Sequence, residues 1–347
     1  MIAKTVVIED IKKISLREFR IHKPENKQLL IKIHQCNICT ADWQLWAGMR
    51  KSLGIKFPTA PGHEIAGEVI EVGSDVSGLK VGDHVAGFGP SSCGECYYCH
   101  VGYSSKCLKR DTWDLRNSIT GSFGMSQYVL TTSDRVYKVS KDLPYEEACY
   151  LEPLATAVHG VRKLEISPID DVLVIGAGNL GLINAQAARA FGSNVIVSEI
   201  NEKRCKVSRA LGFCTVNPRV DDVVEATKEF SEGKGIDAVV LAVGSTEANE
   251  QAMKVLGSMG KILFFAAGYP APKLNADPNL IHYEEYELIG SYRADQIDFK
   301  IAAKLLSKGT VKTGKLISRK ISINDAQHAF ELAATPGNYR VSLSMWE

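Results

Sequence analysis

Asp171-Val172-Leu173-Val174-Ile175 runs directly into Gly176-Ala177-Gly178-Asn179-Leu180-Gly181. This junction constrains the fold more than any other stretch. The run has no polar face from Val172 to Ile175, so it suits a parallel strand covered on both sides. The first glycine permits a tight turn, the second leaves room for close approach, and the third lets the next helix lie against the strand. A helical stretch follows through Ala190. Further strands are expected at Val195 to Glu199, Ile236 to Val243 and Lys261 to Ala267, with a helix at Lys203 to Leu211 ended by Gly212. Strands alternating with helices predict a doubly wound parallel sheet.

A helix N-terminus behind such a glycine turn presents free N–H groups to phosphates. Glu199 closes the second strand about 20 residues on, where an acid hydrogen-bonds a ribose 2′-hydroxyl. A carboxylate there repels a 2′-phosphate, so NAD(H) is expected over NADP(H). Lys203 and Arg204 beside it work against strict preference. Gly176, Gly178, Asn179, Leu180, Gly181, Glu199 and Arg204 form the candidate nucleotide site. An ordinary turn, or a methyltransferase built on the same sheet, remains an alternative.

The earlier part of the chain has a different texture. Leu29 to His34 and Gly67 to Gly73 alternate in the manner of strands, and Gly82-Asp83-His84-Val85 reads as a turn into another. Frequent Pro and Gly suggest many short strands in a barrel-like domain. Here lies Cys93-x-x-Cys96-x-x-Cys99, followed by Cys107. Four thiolates so spaced can surround one tetrahedral metal, and the Gly and polar residues around them give the loop no core of its own. A pair of disulfides is the rival reading. Nine cysteines without a signal peptide-like start favour metal thiolates in a reducing compartment, hence a cytoplasmic location. Lys+Arg of 41 against Asp+Glu of 40 argues against a nucleic-acid partner, and no apolar run suits a membrane helix.

A second group of metal-ligating types lies apart from that loop: Cys39, Asp42, His63, Glu64 and Glu152. Cys, His and a carboxylate can make a three-ligand site with one open position. Spacing alone leaves Cys39 as a core residue or His63 as a turn residue equally open.

The joint set resembles the zinc-dependent medium-chain dehydrogenase/reductase family, in its sorbitol/threonine dehydrogenase-like branch. The residues that carry the resemblance are Cys39-Thr40-Ala41-Asp42, Gly62-His63-Glu64, Gly82-Asp83-His84-Val85, the four-cysteine lobe, Glu152-Pro153 and the glycine turn, in that order. The resemblance implies an α/β plus β architecture. A GroES-like β-barrel catalytic domain would span 1–154, with a zinc lobe at 91–108. A Rossmann domain would span 155–290, and 291–347 would return to the catalytic domain. It further implies two zinc ions per chain. Cys93, Cys96, Cys99 and Cys107 would hold a structural one. Cys39, His63 and Glu152 would hold a catalytic one, with Glu64 able to replace water on it and Asp42 orienting His63. Hydride would pass between an alcohol substrate and NAD(H), the small molecule being the expected partner. Relatives assemble as homodimers or homotetramers.

One departure stands out. The family usually has Ser or Thr two residues after the first cysteine ligand, as a proton relay. Ala41 stands there, and Thr40 is one residue early. Water at the metal, Glu64 or a second substrate hydroxyl is then expected to pass the proton. Gly290-Ser291-Tyr292-Arg293 resembles a Gly-x-Phe-Arg segment of sorbitol-type enzymes, which makes Arg293 a candidate substrate residue. Trp43 and Trp46 are candidate pocket walls, with core packing as the alternative, and His159 is either near the nicotinamide or simply buried. A polyol or sugar-like secondary alcohol is the first expectation and an amino-alcohol such as threonine the second. An enzyme recycling bound NAD, and a non-catalytic zinc/nucleotide sensor, complete the alternatives.

Overall fold

The computed structural model describes residues 1–49, 56–109, 114–116 and 119–346. The chain forms two compact units. One comprises Met1–Ala155, Ala294–Gly309 and Thr313–Glu347; the other comprises Thr156–Arg293 and Thr310–Lys312. No helix among the described residues is long and apolar enough to cross a membrane.

The first unit is built on the strand Gln28–Asn37. It pairs antiparallel with Glu64–Val72, Tyr128–Thr132 and Arg340–Ser344. The last of these lies parallel to Ile317–Ser322, so the C-terminal segment completes a sheet begun by the N-terminal residues. His84–Ala86 and Tyr137–Lys138 extend the same sheet at its other side. A second sheet contains Ile2–Asp10, Lys13–Arg20, Thr59–Ala60, Ile119–Gly121 and Asp114–Arg116. Period-2 alternation sends Leu29, Ile31 and Ile33 into one core with Ile65, Val69, Val129, Val341 and Leu343. The helix Ala326–Ala334 covers this core with Phe330, which is wholly buried.

The second unit carries six parallel strands. In spatial order they are Cys214–Val216, Asn194–Ser198, Asp171–Ile175, Ile236–Leu241, Leu256–Phe264 and Glu287–Gly290. That order reverses beside Asp171–Ile175, so the glycine turn lies at the switch point where such sheets bind ligands. The helix Asn179–Ala190 begins immediately after Gly178. Gly181 is indispensable to this packing: a Cβ there would lie 1.7 Å from the Gly176 carbonyl oxygen. The fifth strand starts at Leu256, earlier than the expected Lys261, and its pairing with Ile236–Leu241 is irregular between Leu256 and Lys261, where Gly257, Ser258 and Gly260 lie.

Replacing Phe330 with Ala should cost about 3–5 kcal/mol of stability, the usual range for a buried Phe. Chemical denaturation followed by tryptophan fluorescence is the check. Trp46 packs beside Phe330, with ring centroids 6.0 Å apart, so the probe sits at the cavity.

Candidate active site

Cys39 precedes the short helix Thr40–Trp46 as its N-terminal flanking residue. Asp42, three residues on, turns back: its Oδ2 accepts the Cys39 N–H at 3.1 Å. Its Oδ1 accepts the Gly62 N–H at 3.4 Å and faces His63 Nδ1 at 3.6 Å. Gly62 holds φ of +100°, and a Cβ on it would meet the Met125 backbone nitrogen at 2.5 Å. Only glycine allows this turn, which delivers His63 to the cysteine loop. The ligand atoms of Cys39, His63 and Glu64 lie within 4.8 Å of one another. Asp42 behind Nδ1 leaves the other ring nitrogen of His63 for a ligand, the orienting arrangement expected of a metal-binding histidine.

Glu64 opens the strand Glu64–Val72 and is fully buried. Arg340 grips it with two hydrogen bonds, from Nη2 to Oε1 at 2.7 Å and from Nε to Oε2 at 2.9 Å. Arg340 Nη1 also donates to Thr40 Oγ1 at 3.5 Å, and Nη2 lies 3.8 Å from Cys39 Sγ. Nothing in the sequence singles out Arg340. It lies 276 residues from Glu64, and its only signal is a charge at the head of the alternating run Val341 to Ser344.

Glu152 stands on the helix Leu151–Leu164 and is not in the convergent set. Burial pushes its carboxyl up to about 7, against the pull of His63 and with the push of Glu64. Burial also raises the Cys39 thiol, helped by Glu64 and opposed by Arg340 and His63. His63 goes the other way. Burial pulls it down, but Asp42 and the sulfur of Cys39 outweigh that and hold it well above the ordinary imidazole value. The group therefore retains protons that a divalent cation would replace. A thiolate, an imidazole and two nearby carboxylates fit zinc, with Glu64 nearer and Glu152 farther than the expected ligand set.

The four lobe cysteines also fit one ion. All are free thiols whose sulfurs lie within 4.8 Å of one another. Cys96 and Cys99 are 3.6 Å apart, and Cys93 and Cys99 are 3.9 Å apart. A tetrahedron with Zn–S bonds of about 2.3 Å has edges of about 3.8 Å. These distances are far too long for a disulfide. Backbone N–H groups of Leu108 and Cys99 bring Cys96 down to about 6, while burial drives Cys99 up to about 11. Four thiolates so close need a cation before all can ionise.

In the second unit, Glu199 is buried against the glycine turn. Its Oε2 accepts the Ala177 N–H at 2.6 Å and its Oε1 the Asn201 N–H at 2.8 Å. Arg204 follows on the helix Glu202–Ala210, and its Nη1 would be 3.8 Å from a Cβ at Gly178. Gly176, Gly178, Asn179, Leu180, Gly181, Glu199 and Arg204 thus share one end of the sheet, and an elongated anion fits beside the helix N-terminus.

The three expected substrate residues fare differently. Trp46 is a correction: it is 5% exposed and packs into the core, where the space under a short helix is filled by its ring. Trp43 is partly buried against the same core. Arg293 has φ of +69° and lays its guanidinium over the neighbouring Tyr292 ring at 5.1 Å. His159 is buried.

Two domain families match the chain: the alcohol dehydrogenase GroES-like domain over residues 25–141, and zinc-binding dehydrogenase over residues 179–308. L-threonine 3-dehydrogenase of Pyrococcus abyssi is 33% identical over 91% of this chain and 91% of its own. D-arabitol-phosphate dehydrogenase of Enterococcus avium is 30% identical over 90% and 89%. A zinc-binding dehydrogenase of Sinorhizobium meliloti 1021, solved with NADP, superposes with a TM-score of 0.87 at 28% identity over 99% of both chains. The chain belongs to the zinc-dependent medium-chain dehydrogenases of the alcohol dehydrogenase superfamily. It is an oxidoreductase that works with zinc and a nicotinamide cofactor.

Arg340→Met should destabilise the protein by about 3–5 kcal/mol, because it strands a buried carboxylate. Arg340→Met with Glu64→Gln should recover much of that loss; equal losses in the single and double variants would show that the charge is not the cause. The metal-free protein should also respond to pH in a defined sense. Glu152 and His63 both hold protons more tightly folded than unfolded, so their stabilising contribution is full below their unfolded values. It is lost as pH rises through about 7 for Glu152 and higher for His63. Melting temperatures of the stripped protein should fall from about pH 5 to about pH 8, and the gain on adding zinc should grow over the same range.

Proposed function

We propose that this protein oxidises a secondary alcohol bearing a neighbouring hydroxyl, a polyol or sugar-like compound, and prefers NAD as acceptor. The observation that carries the reading is the meeting of Cys39 and His63 with Asp42 behind the imidazole, beside two carboxylates. Zinc held there by Cys39 and His63 would supply Lewis acidity toward the alcohol oxygen, and a nicotinamide held at the glycine turn would supply the hydride acceptor. The chain's own contribution is to fix the ligand atoms, to neutralise Glu64 with Arg340, and to hold the nucleotide at the glycine turn.

The polar groups beside Cys39 are already engaged by Arg340. Ala41 has no hydroxyl. Thr40 Oγ1 is turned to Arg340, and both Glu64 oxygens accept from the same guanidinium. A substrate that brings its own second hydroxyl supplies the proton path these residues do not. An amino-alcohol does the same, and the likeness to threonine dehydrogenases supports it as the second reading. The buried Glu199 carboxylate supports NAD, since a 2′-phosphate would approach it. Arg204 on the same face supports residual NADP use.

A structural zinc in the four-cysteine lobe, giving two ions per chain, is part of the proposal. So is a homodimer. Among the described residues, the strand Glu287–Gly290 pairs on one side only. The helix Pro278–Tyr283 has no buried residue, with Leu280 40% and Tyr283 78% exposed. Such an edge needs a cover. The nine free thiols suit a cytoplasmic setting.

Purified enzyme should contain about two zinc per chain by elemental analysis. A panel of polyols, sugars, amino-alcohols and simple alcohols should release NADH most readily from vicinal diols and amino-alcohols. Equal rates for monohydroxy alcohols would show that the substrate's second hydroxyl is not the proton path. Cys39→Ala should lower kcat/KM by about a thousandfold or more, roughly 4 kcal/mol of transition-state stabilisation. Cys99→Ser should lose one zinc and thermal stability first, with a smaller effect on turnover of the surviving folded enzyme.

A further inference from the structure

Two histidines and a tyrosine form a stack that neither metal site uses. His34 lies on the strand Gln28–Asn37, His84 on the strand His84–Ala86, and Tyr145 begins the short helix Tyr145–Ala148. The His34 and Tyr145 rings are parallel, with centroids 4.2 Å apart and planes 3° apart. His84 leans on the other part of the same ring at 4.8 Å, and its Nε2 is 2.9 Å from the Tyr145 hydroxyl. Two of their nitrogens, His34 Nε2 and His84 Nδ1, are buried without a hydrogen-bond partner among the described residues.

That last point fixes the preferred charge state. A neutral imidazole can leave one nitrogen unprotonated. An imidazolium carries N–H on both, so protonating His34 would bury its Nε2–H with no acceptor among the described residues. The surrounding charges do not reverse this. Lys32 stands two residues from His34 on the same strand, and Glu68 lies opposite both Lys32 and His84 in the sheet. Lys141 approaches the Glu68 side at the Gly82 turn. Asp83 is occupied by Lys138 at 2.7 Å, and on the helix Glu146 pairs with Lys320 at 2.8 Å. Burial is the largest influence on His34 and lowers its affinity for a proton; Lys32 and His84 act the same way, and Glu68 only opposes them. Tyr145 is pushed up to about 12 by burial and by Glu68, so its hydroxyl keeps its proton.

We propose that His34, Tyr145 and His84 form a proton-released clasp that docks the limb leading to Glu152 onto the barrel. The limb has two weaker ties to the same strand. Asn37 Nδ2 donates to the Glu146 carbonyl at 3.3 Å, and the Cys149 thiol donates to the Gln35 carbonyl at 3.2 Å. The helix Leu151–Leu164, which bears Glu152, follows directly. Acidification loosens the stack, and the limb frays next to the catalytic cluster. Because His34 binds a proton less well in the closed state, it favours that state above the unperturbed range, near pH 6.5, and the preference is lost as pH falls below that. The clasp does not depend on whether Glu152 ligates zinc.

Hydrogen exchange read by mass spectrometry on the zinc-loaded full-length protein tests this. Rates at about pH 7.5 and about pH 5.5, corrected for intrinsic exchange, are compared for peptides covering 142–150 and for the helix Ala326–Ala334 in the same unit. The wild type should open the 142–150 segment more at the lower pH, by up to about tenfold for the proton His34 takes up on opening. The 326–334 helix should not change. Tyr145→Phe keeps the ring stack and loses the bond to His84, so it should exchange faster at the higher pH and respond less to acid. His34→Gln removes one proton site and should also flatten the response. Unchanged wild-type exchange between the two pH values overturns the proposal. So does an equal response in the 326–334 helix, or a full wild-type response in both variants.

Discussion

The pairing of Arg340 with Glu64 is the constraint on which the catalytic unit's geometry turns. Both groups are almost wholly out of water, at 4% and 0% side-chain exposure, so each needs the other to remain charged. Two parallel hydrogen bonds satisfy the carboxylate and fix the guanidinium plane. That plane then reaches Thr40 and Cys39 on the first helix. Arg340 heads the strand Arg340–Ser344, which pairs with Gln28–Asn37. A C-terminal strand is thereby locked in register to a cysteine loop and a histidine turn from the N-terminal part. A slip of one residue would put the cation on the wrong face of the sheet.

The charge balance explains why the cluster suits a divalent cation. Cys39, Asp42, Glu64 and Glu152 can all carry negative charge, whereas Arg340 supplies one fixed positive charge. In the protein alone, the deficit appears as a stronger hold on protons: burial raises the proton affinity of Glu152 and Cys39, and Asp42 and Cys39 raise that of His63. The lobe cysteines show the same frustration on a smaller scale, Cys96 and Cys99 being driven in opposite directions. In both places the donor atoms are already gathered, so binding would exchange protons for a metal with little movement of the chain. The difference lies in closure. Four sulfurs would complete a tetrahedron around an ion, while Cys39 and His63 alone would leave positions open on one.

Much of this was legible in the sequence because its causes are local. A glycine turn between an apolar strand and a helix, a cysteine cluster, and Gly62 before His63 each write a backbone requirement into neighbouring residues. What escaped depends on long-range pairing. Arg340 meets Glu64 only because two distant strands flank Gln28–Asn37, and no short motif records that. Trp46 looked like a wall because it follows the cysteine loop; the seven-residue helix turns it toward Phe330. The resemblance names both Glu64 and Glu152 beside Cys39 and His63, and no spacing ranks them; in the fold Glu64 is the one that converges with that pair. His34, His84 and Tyr145 share no spacing, and only the sheet brings their rings together.

The absent hydroxyl at position 41 gains meaning from these contacts. A relay can be lost harmlessly where another side chain stands free to replace it. Around Cys39, the obvious replacements are held by Arg340: Thr40 through its oxygen, and Glu64 through both of its oxygens. Releasing Glu64 to carry a proton would unpair a buried guanidinium, a cost of several kcal/mol that would enter the barrier of every turnover. A hydroxyl or amine carried on the substrate carries no such penalty. It arrives solvated, it is positioned by the same binding event, and it leaves with the product. The arginine that organises the site thereby narrows the alcohols the site is proposed to use.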